Sequence, residues 1–449
     1  MGVPTVAMIT KAFVDLAHST AYKKGAPDLP IVFTPHPISG STTEQSNKYL
    51  HGNDPVTGKP MMKEIVAGLT EKLKPEDTET GVISRDKRQR FLPADTPDNL
   101  RQMFNDKMWT DGLPIILPTE ARVKAMLKGT SHKPDEVVGQ MRPSGPHEAW
   151  SYTVEMVATN AVMAGAKPEY LPVILALAAS GQTALVSSTS SFARMAVVNG
   201  PIRDQIQMNY SIGALGPFNQ ANSTIGRAWL LLSKNLGGSG TPGTTYLGTQ
   251  GNNLNYNNLT FAESDALPDG WEPLSVQQGY KKSDSVVTIF TGWSLNDIAW
   301  FTPPAQQVII KNWLSHFFSF GTMRFANVTI MLDPTTAQEI KDNGFNTKQD
   351  FIDYLIKNST TPAWMYWAVH QKEMEQAKQG VEPYASYLKM GENADLPVSR
   401  FRKMMPRGAP AGTPPRNPIQ VVVVGGSTNP YWTGGDFRIA RSVNIDKWR

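Results

Sequence analysis

Three side chains in this sequence have the chemistry of a general acid or base. His36 lies between two prolines just after the apolar run that ends at Phe33, where the backbone is stiff. His147 and Glu148 are neighbours in a predicted loop, and Glu155 lies in the helix predicted to follow it. His36, Glu155 and His147 are therefore the catalytic candidates, with a surface turn histidine and a solvent-facing glutamate as the alternative readings.

The pair His147 and Glu148 provides only one histidine and one carboxylate, and the sequence contains no HExxH pattern. No metal ligand set is predicted on this basis, because a protein zinc site needs three or four ligands. A metal-dependent hydrolase or lyase built on this pair stays as an alternative.

The stretch from Asn199 to Gly238 carries the main candidate binding loop. A loop rich in glycine and asparagine, Gly213 to Asn222, leads into a predicted apolar helix, Ile225 to Leu236. Ser223 or Thr224 is the predicted start of this helix, and Gly237 is its predicted stop. Backbone N–H groups at such a helix start favour a small anionic or polar ligand. A tightly packed corner is the structural alternative. The candidate ligand residues here are Gly213, Gly216, Asn219, Asn222, Thr224 and Arg227.

Further binding candidates lie beside predicted strands and helices. The run Gln420–Val424 is strongly β-prone and ends in a glycine-rich turn, so its loop is expected at the crevice where the strands of an α/β sheet end. Asn160 and Glu169 lie in a predicted helix and at a predicted helix start, respectively. The candidates added in this way are Asn160, Glu169, Asn199, Gly425, Gly426 and Asn429.

The composition excludes several classes of function. Lys+Arg 43 against Asp+Glu 39 gives a net charge of +4 in 449 residues, which is too balanced to indicate a nucleic-acid or anionic membrane partner. The cysteine count is 0, so this chain supplies no disulfide, thiolate metal ligand or cysteine nucleophile. No secretory signal and no apolar stretch long enough to cross a bilayer is recognised, and a cytoplasmic location is expected.

Local patterns predict an α/β fold with mostly parallel sheets and flanking helices. Residues 3–9 read as a buried strand, Lys11–Lys24 as a helix with Thr10 as its cap, and Leu29–Phe33 as a second, parallel strand. We expect an N-terminal βαβ domain over residues 1–110, its sheet completed by a partner, and a larger α/β domain over residues 111–449. The larger domain would contain a long Gly/Asn-rich loop at 237–260 and a proline-rich connection at 400–418.

Several stretches together resemble the UGSC-type (seleno)protein family, which is named for a selenocysteine/cysteine-Gly-Ser-Cys motif. The matching pieces are GVPTVAMITKAFVDLA with PDLPIVFTPHPISG, NAVMAGAKPEYLPVILA, and VNGPI through GALGPFNQANSTIGRA. Weaker matches are the helix pair around Asn343–Leu355 and the segment VVVVGGSTNP. In the family the UGSC or CGSC motif precedes the strand corresponding to residues 3–9, and a cysteine is common where this sequence has Ala166.

The resemblance implies a large subunit whose redox-active residues are on a separate small subunit that docks near residues 3–9. That subunit would supply thiol or selenol chemistry, while this chain binds a small polar organic substrate, and no further cofactor is predicted in this chain. An uncovered apolar edge strand at residues 3–9 agrees with this expectation. A catalytically silent scaffold or regulatory subunit is the alternative reading.

Overall fold

The structure, a computed structural model, describes residues 4–23, 25–38, 41–72, 90–141, 151–185, 192–239, 250–299, 327–397, 401, 416–427 and 431–449.

Helices and strands alternate along much of the chain, and the α/β class is confirmed. The strands are β1 Ala7–Thr10, β2 Ile31–Thr34, β3 Val137–Gln140, β4 Ser151–Thr153, β5 Ala193–Asn199, β6 Thr260–Ala262, β7 Val286–Gly292, β8 Leu295–Ala299, β9 Val328–Leu332, β10 Thr361–Pro362, β11 Asp395–Leu396, β12 Ile419–Val423, β13 Tyr431–Gly435 and β14 Arg438–Asn444. The α-helices are α1 Val14–Lys23, α2 Thr43–His51, α3 Met61–Thr70, α4 Pro97–Asp106, α5 Glu120–Met126, α6 Val154–Met163, α7 Leu171–Ala179, α8 Ile202–Gln205, α9 Gln220–Asn235, α10 Leu274–Gln277, α11 Pro334–Asp342, α12 Lys348–Asn358, α13 Ala363–Val369, α14 Gln371–Lys378 and α15 Tyr384–Lys389.

Two four-stranded sheets form the centre of the larger part of the chain. One has the strand order β12-β9-β13-β8 and the other β14-β7-β5-β6. Each is mixed, with one parallel pair (β12 with β9, β5 with β6) and two antiparallel pairs, whereas the sequence predicts mostly parallel sheets. The antiparallel pairs involve β7, β8, β13 and β14. No local pattern in the sequence determines the order of these strands in the sheets.

The two sheets pack face to face between two layers of helices. Met195 and Val197 of β5 meet Met331 of β9 and Val422 of β12 in one apolar cluster between the sheets. Strands covered on both faces are rich in apolar residues, and every residue of β5, β7, β9 and β12 is buried. Most of these residues are apolar, with Arg194, Thr288 and Gln420 among the exceptions.

The outer face of each sheet is covered by helices. Ala196 and Val198 pack in the cluster that contains α6, α7 and the apolar side of α9. Ile330 and Val421 on the other sheet pack in the cluster that contains α11 and α12. The order is therefore helix layer, sheet, sheet, helix layer, and each fully buried Val, Ile or Leu side chain contributes about 1.5–3 kcal/mol to folding.

The N-terminal unit, residues 4–72, has its own two-stranded parallel sheet. Strands β1 and β2 pair in parallel, with Ala7 opposite Ile31 and Thr10 opposite Thr34, and α1 connects them after a short 3-10 helix at Lys11–Phe13. The predicted βαβ unit is thus present. No hydrogen bond or ion pair joins residues 4–72 to the described residues from position 90 onward.

Some predicted boundaries differ from the structure for identifiable reasons. Helix α9 begins at Gln220 instead of Ser223 or Thr224, because Asn219 supplies the first helical carbonyl. The helix predicted at about Trp150–Ala164 begins only at Val154, since residues 151–153 pair with β3 as β4. Within the described residues, no helix is both long and apolar enough to cross a bilayer.

Parts of the predicted loop at 237–260 and of the predicted connection at 400–418 lie outside the described residues. In the described part of 237–260, Asn253–Tyr256 form a 3-10 helix and β6 begins at Thr260. The domain division near residue 110 stays a prediction.

Candidate functional site

The glycine- and asparagine-rich loop is held together by its own asparagine side chains. The Asn219 amide nitrogen donates to the Gly213 carbonyl at 2.7 Å and the Gly216 carbonyl at 3.1 Å, and its oxygen accepts from Asn209 at 2.6 Å. Asn222 accepts from the Asn209 backbone N–H and donates to carbonyls of Asn209 and Ala214. These polar groups shape the loop, so they are not available as a free set of ligand donors.

Arg227 and Thr224, the helical members of the predicted binding set, also have partners within the chain. The Arg227 guanidinium makes a two-pronged ion pair with Asp111, at 2.8 and 2.9 Å, and donates to the Pro114 carbonyl at 2.8 Å. Thr224 donates to the Gln220 carbonyl within α9. Arg227 therefore fixes the segment that begins at Asp111 onto α9, and its charge is already paired.

The candidates on and near α6 lie in two different environments. Glu155 is partly exposed and pairs with the exposed Arg90 through both carboxylate oxygens, at 2.8 and 2.9 Å. Asn160 is buried and accepts from the Asn235 side chain at 2.8 Å, which ties α6 to α9. Glu169 is exposed in the first turn of a 3-10 helix. Neither glutamate lies in an enclosed site of the described residues.

Asn199 belongs to a buried polar cluster that the sequence reasoning missed. Its amide nitrogen donates at 2.6 Å to Glu263, which is fully buried just after β6. Glu263 also accepts from Lys348 at 2.7 Å and from the Leu274 backbone N–H at 2.7 Å. Lys348 is the first residue of α12, 85 positions from Glu263. No sequence signal links the two, because their pairing depends only on how the sheets stack.

Gly425 and Gly426, predicted to line a crevice at the strand ends, pack against the segment just before the glycine- and asparagine-rich loop. Gly425 donates its backbone N–H to the Tyr210 carbonyl at 2.9 Å, and a Cβ on Gly426 would meet the Ile212 side chain at 2.8 Å. The loop after β12 therefore contacts Tyr210 and Ile212, which lie just before the glycine- and asparagine-rich loop. Asn429 and His147 lie outside the described residues.

His36 lies at the carboxyl edge of the β1–β2 pair, on different elements from the other candidates. The Thr10 hydroxyl is 3.0 Å from His36 Nδ1, and the Phe13 ring meets the imidazole edge-on with 5.9 Å between centroids. The predicted cap role of Thr10 is not observed: its side chain makes no capping bond because it contacts His36 instead. His36 is exposed, and its Nε2 has no hydrogen-bond partner among the described residues.

Thr34 adds a buried hydroxyl to the same edge. It stands opposite Thr10 in the parallel register and two positions before His36, and only 2% of it is exposed. Its hydroxyl has no hydrogen-bond partner in the described part of the chain. The short 3-10 helix that follows β1 begins at this edge, and no side chain caps its first backbone N–H groups. Thr10, Thr34 and His36, here called the threonine–histidine edge, place hydroxyls, N–H groups and a titratable ring together.

Comparison with known families concerns this same part of the chain. Residues 1–52 match the UGSC family. The match supports the UGSC-type assignment, and it covers β1, α1, β2 and the whole threonine–histidine edge. No curated protein and no solved structure matches the chain.

In the N-terminal unit, two positions after the matched residues, a buried aspartate holds β2 in place. Asp54 is fully buried and accepts three backbone N–H groups: from Phe33 at 2.6 Å, Val56 at 2.7 Å and Thr57 at 3.1 Å. The bond to Phe33 fixes the strand just before Thr34 and His36. The signal for Asp54 was present in the sequence as an Asp-Pro-Val-Thr-Gly turn, for which an aspartate side chain is typical.

The described residues of the N-terminal unit bury few apolar side chains and expose many large ones. Its buried apolar side chains are Ala17, Ala21, Val32, Phe33 and Met61, whereas its exposed large ones are Met8, Leu29, Ile38, Val56, Met62, Val66 and Leu69. On α3, Met62, Val66 and Leu69 are spaced four and three residues apart and form one exposed stripe, while Gly68 faces Val6 and Pro30.

The described residues contain no group of three or more His, Asp or Glu side chains that could hold a metal ion.

Proposed function

We propose that this chain is the substrate-binding and catalytic large subunit of a heteromeric enzyme that acts on a small polar organic molecule. In this proposal a small partner subunit supplies a thiol or selenol for redox or nucleophilic chemistry, and His36 acts as the acid/base group. The observation that carries it is the contact between Thr10 and His36 at the carboxyl edge of the unit that matches the UGSC family.

The arrangement of the threonine–histidine edge suits proton transfer to and from a partner's thiol. Thr10 holds Nδ1 of His36, so that Nε2 faces solvent and can accept the thiol proton. The resulting thiolate is the reactive form, and the imidazolium can return the proton to a leaving group. In this proposal the backbone N–H groups after Thr10, which have no side-chain cap, bind negative charge that develops on the substrate.

The need for a partner is supported by composition and by the surface. The sequence has no cysteine, so a thiol nucleophile at His36 must come from another molecule. Strand β1 pairs only with β2 among the described residues, and Met8 on it is half-exposed. The α3 stripe adds apolar area that water would otherwise contact. A small subunit that covers β1 and the stripe would bring its reactive group to the same unit as His36.

The first test is to purify the chain from its native source and identify co-purifying proteins by mass spectrometry. We expect a small protein with a CGSC or UGSC motif in stoichiometric amount. The complex is then compared with its His36→Gln variant and with His51→Gln, which changes an exposed histidine at the end of α2. Alkylation of the partner's reactive residue by iodoacetamide at pH 7 should slow at least about tenfold in His36→Gln only.

A scaffold or regulatory subunit is the second candidate, and the internal partners of Arg227, Asn160 and Asn219 favour it. It predicts that His36→Gln leaves both alkylation and turnover of the complex unchanged, whereas loss of the subunit contact abolishes turnover. Unchanged alkylation in a complex that contains the small partner would reject the catalytic role of His36. A chain that purifies without any companion would reject the heteromeric proposal itself.

A further inference from the structure

A cavity of about 450 Å³ lies between α12, the start of β12 and the start of β14, remote in sequence from the threonine–histidine edge. Its volume is in the range of small-molecule sites. Most of its lining residues are polar or charged, including Thr347 and Gln349 at the start of α12 and Gln420 on β12. Arg416 is the charged residue that distinguishes it.

Arg416 presents a partly desolvated cation to this cavity. Nη1 donates to the carbonyl oxygens of Ile439 at 2.8 Å and Ala440 at 3.3 Å, and no carboxylate of the described residues lies within ion-pair distance. Burial lowers the pKa of the Arg416 guanidinium, which indicates that the charge has lost part of its hydration. Carbonyl contacts hold the side chain in place, and its Nε and Nη2 groups have no acceptor in the described residues.

The other charged residues of the lining do not neutralise Arg416. Lys348 directs its ammonium group to the buried Glu263, at 2.7 Å, and is therefore already paired. Glu272 is exposed to water and does not form an ion pair with Arg416. Arg416 is thus the unpaired cation among the described residues of this cavity.

Other polar side chains of the cavity lining are fixed by amide hydrogen bonds. Asn417 donates to Gln349 at 2.8 Å, Gln349 donates to Asp353 at 2.8 Å, and Gln420 donates to the Asn417 carbonyl at 3.0 Å. A site whose polar groups are already fixed loses less conformational entropy when a ligand binds.

We propose that this cavity binds a small organic carboxylate, with Arg416 as the residue that pairs with the carboxylate group. A planar guanidinium with free N–H groups matches a carboxylate through two parallel hydrogen bonds, and partial burial strengthens them relative to water. The polar amides around it favour a ligand that carries further hydroxyl or carbonyl groups.

The test is calorimetric titration of the purified full-length chain with acetate, succinate and citrate. We expect at least one of them to bind, with affinity reduced about 10- to 100-fold in Arg416→Gln and partly retained in Arg416→Lys. Arg101→Gln is the matched control, because Arg101 is an exposed arginine that pairs with Asp98 on α4. His36→Gln should also bind normally, which separates this site from the proposed catalytic edge.

Hydrogen–deuterium exchange on the wild-type chain gives a readout that does not depend on any variant. Saturation with the bound carboxylate should slow exchange at residues 347–349 and 416–420. Absence of binding by all three carboxylates, protection elsewhere only, or equal affinity in Arg416→Gln would each overturn the proposal.

Discussion

At the scale of single residues, Asp54 decides where the threonine–histidine edge is placed. One carboxylate oxygen accepts the Phe33 N–H, and the other accepts the N–H groups of Val56 and Thr57. A buried carboxylate with three backbone donors joins the strand to the turn that precedes α3. His36, three positions after Phe33, therefore depends on a residue that never touches it.

We expect Asp54→Asn to lower the free energy of unfolding by about 1–3 kcal/mol, because a neutral amide cannot accept all three N–H groups with both of its polar atoms. The same substitution should weaken the protection of the β2 amides against hydrogen exchange. Chemical denaturation measures the first effect and exchange mass spectrometry the second. Asp98→Asn, at an exposed position on α4, is the control. Equal stability of the two variants would show that Asp54 does not anchor β2.

At the scale of elements, the buried pair Glu263–Lys348 connects the start of α12 to the ends of β5 and β6. Both side chains are almost completely inaccessible, and they are 2.7 Å apart. Removing one member of such a pair leaves an uncompensated buried charge, whereas removing both leaves neutral groups of similar size.

Lys348→Met should therefore destabilise the protein by about 3–5 kcal/mol. The double variant Glu263→Gln, Lys348→Met should be more stable than Lys348→Met alone, because the double variant no longer contains the unpaired Glu263 carboxylate. Urea denaturation of the four proteins in the cycle gives the coupling energy. A double variant less stable than either single variant would mean that packing, instead of charge pairing, is lost.

A second element-scale contact joins the C-terminal 3-10 helix, Asp446–Trp448, to the turn after α5. His132 contacts Glu136 through Nδ1 at 2.8 Å and the Lys447 carbonyl through Nε2 at 2.7 Å. Both partners are acceptors, so both contacts are hydrogen bonds only when the imidazole is protonated. The bond to Glu136 accordingly raises the pKa of His132 above its ordinary value of 6.5.

Because the pKa is higher in the folded state, the stabilisation from His132 is fully present below about pH 6.5 and is lost as the pH rises through the folded value. We expect the melting temperature of the wild type to fall as the pH rises above about 6.5, through the pKa of folded His132. The melting temperature of His132→Gln should fall less over the same pH range. His51→Gln should keep the wild-type profile. Parallel profiles for all three proteins would contradict the assignment.

At the scale of the whole molecule, the two parts of the chain differ in how their apolar surface is covered. The stacked sheets bury both faces of β5, β7, β9 and β12, whereas the N-terminal unit leaves a stripe of α3 in water. A unit of this size that exposes more large apolar side chains than it buries has only a small free energy of unfolding by itself. A covering partner would supply the missing burial.

The substitution Val66→Asp, in the middle of the α3 stripe, should abolish recovery of the small partner in the co-purification experiment. It leaves the fold of the larger part unchanged, because Val66 is half-exposed and contacts no core cluster. Ala121→Asp, on an exposed position of α5, is the matched control and should keep the partner. Full recovery of the partner with Val66→Asp would place the interface elsewhere.

The sequence alone determined the features that depend on neighbours along the chain. The alternation of short β-branched runs with amphipathic segments predicts the β1–α1–β2 unit, and Pro35-His36-Pro37 marks the strand end where His36 indeed stands. These features are predictable because each is specified by residues a few positions apart.

Only the tertiary structure decided which polar groups pair with one another. Arg227, predicted as a ligand residue, forms an ion pair with Asp111, which lies 116 positions away in the sequence. Glu263 and Lys348, which are 85 positions apart, form a buried ion pair that the sequence did not predict. Thr10 likewise contacts His36 instead of capping α1, because the parallel pairing of β1 with β2 brings the two side chains together. Such pairings depend on the stacking and register of strands, for which the local pattern of residue types contains no information.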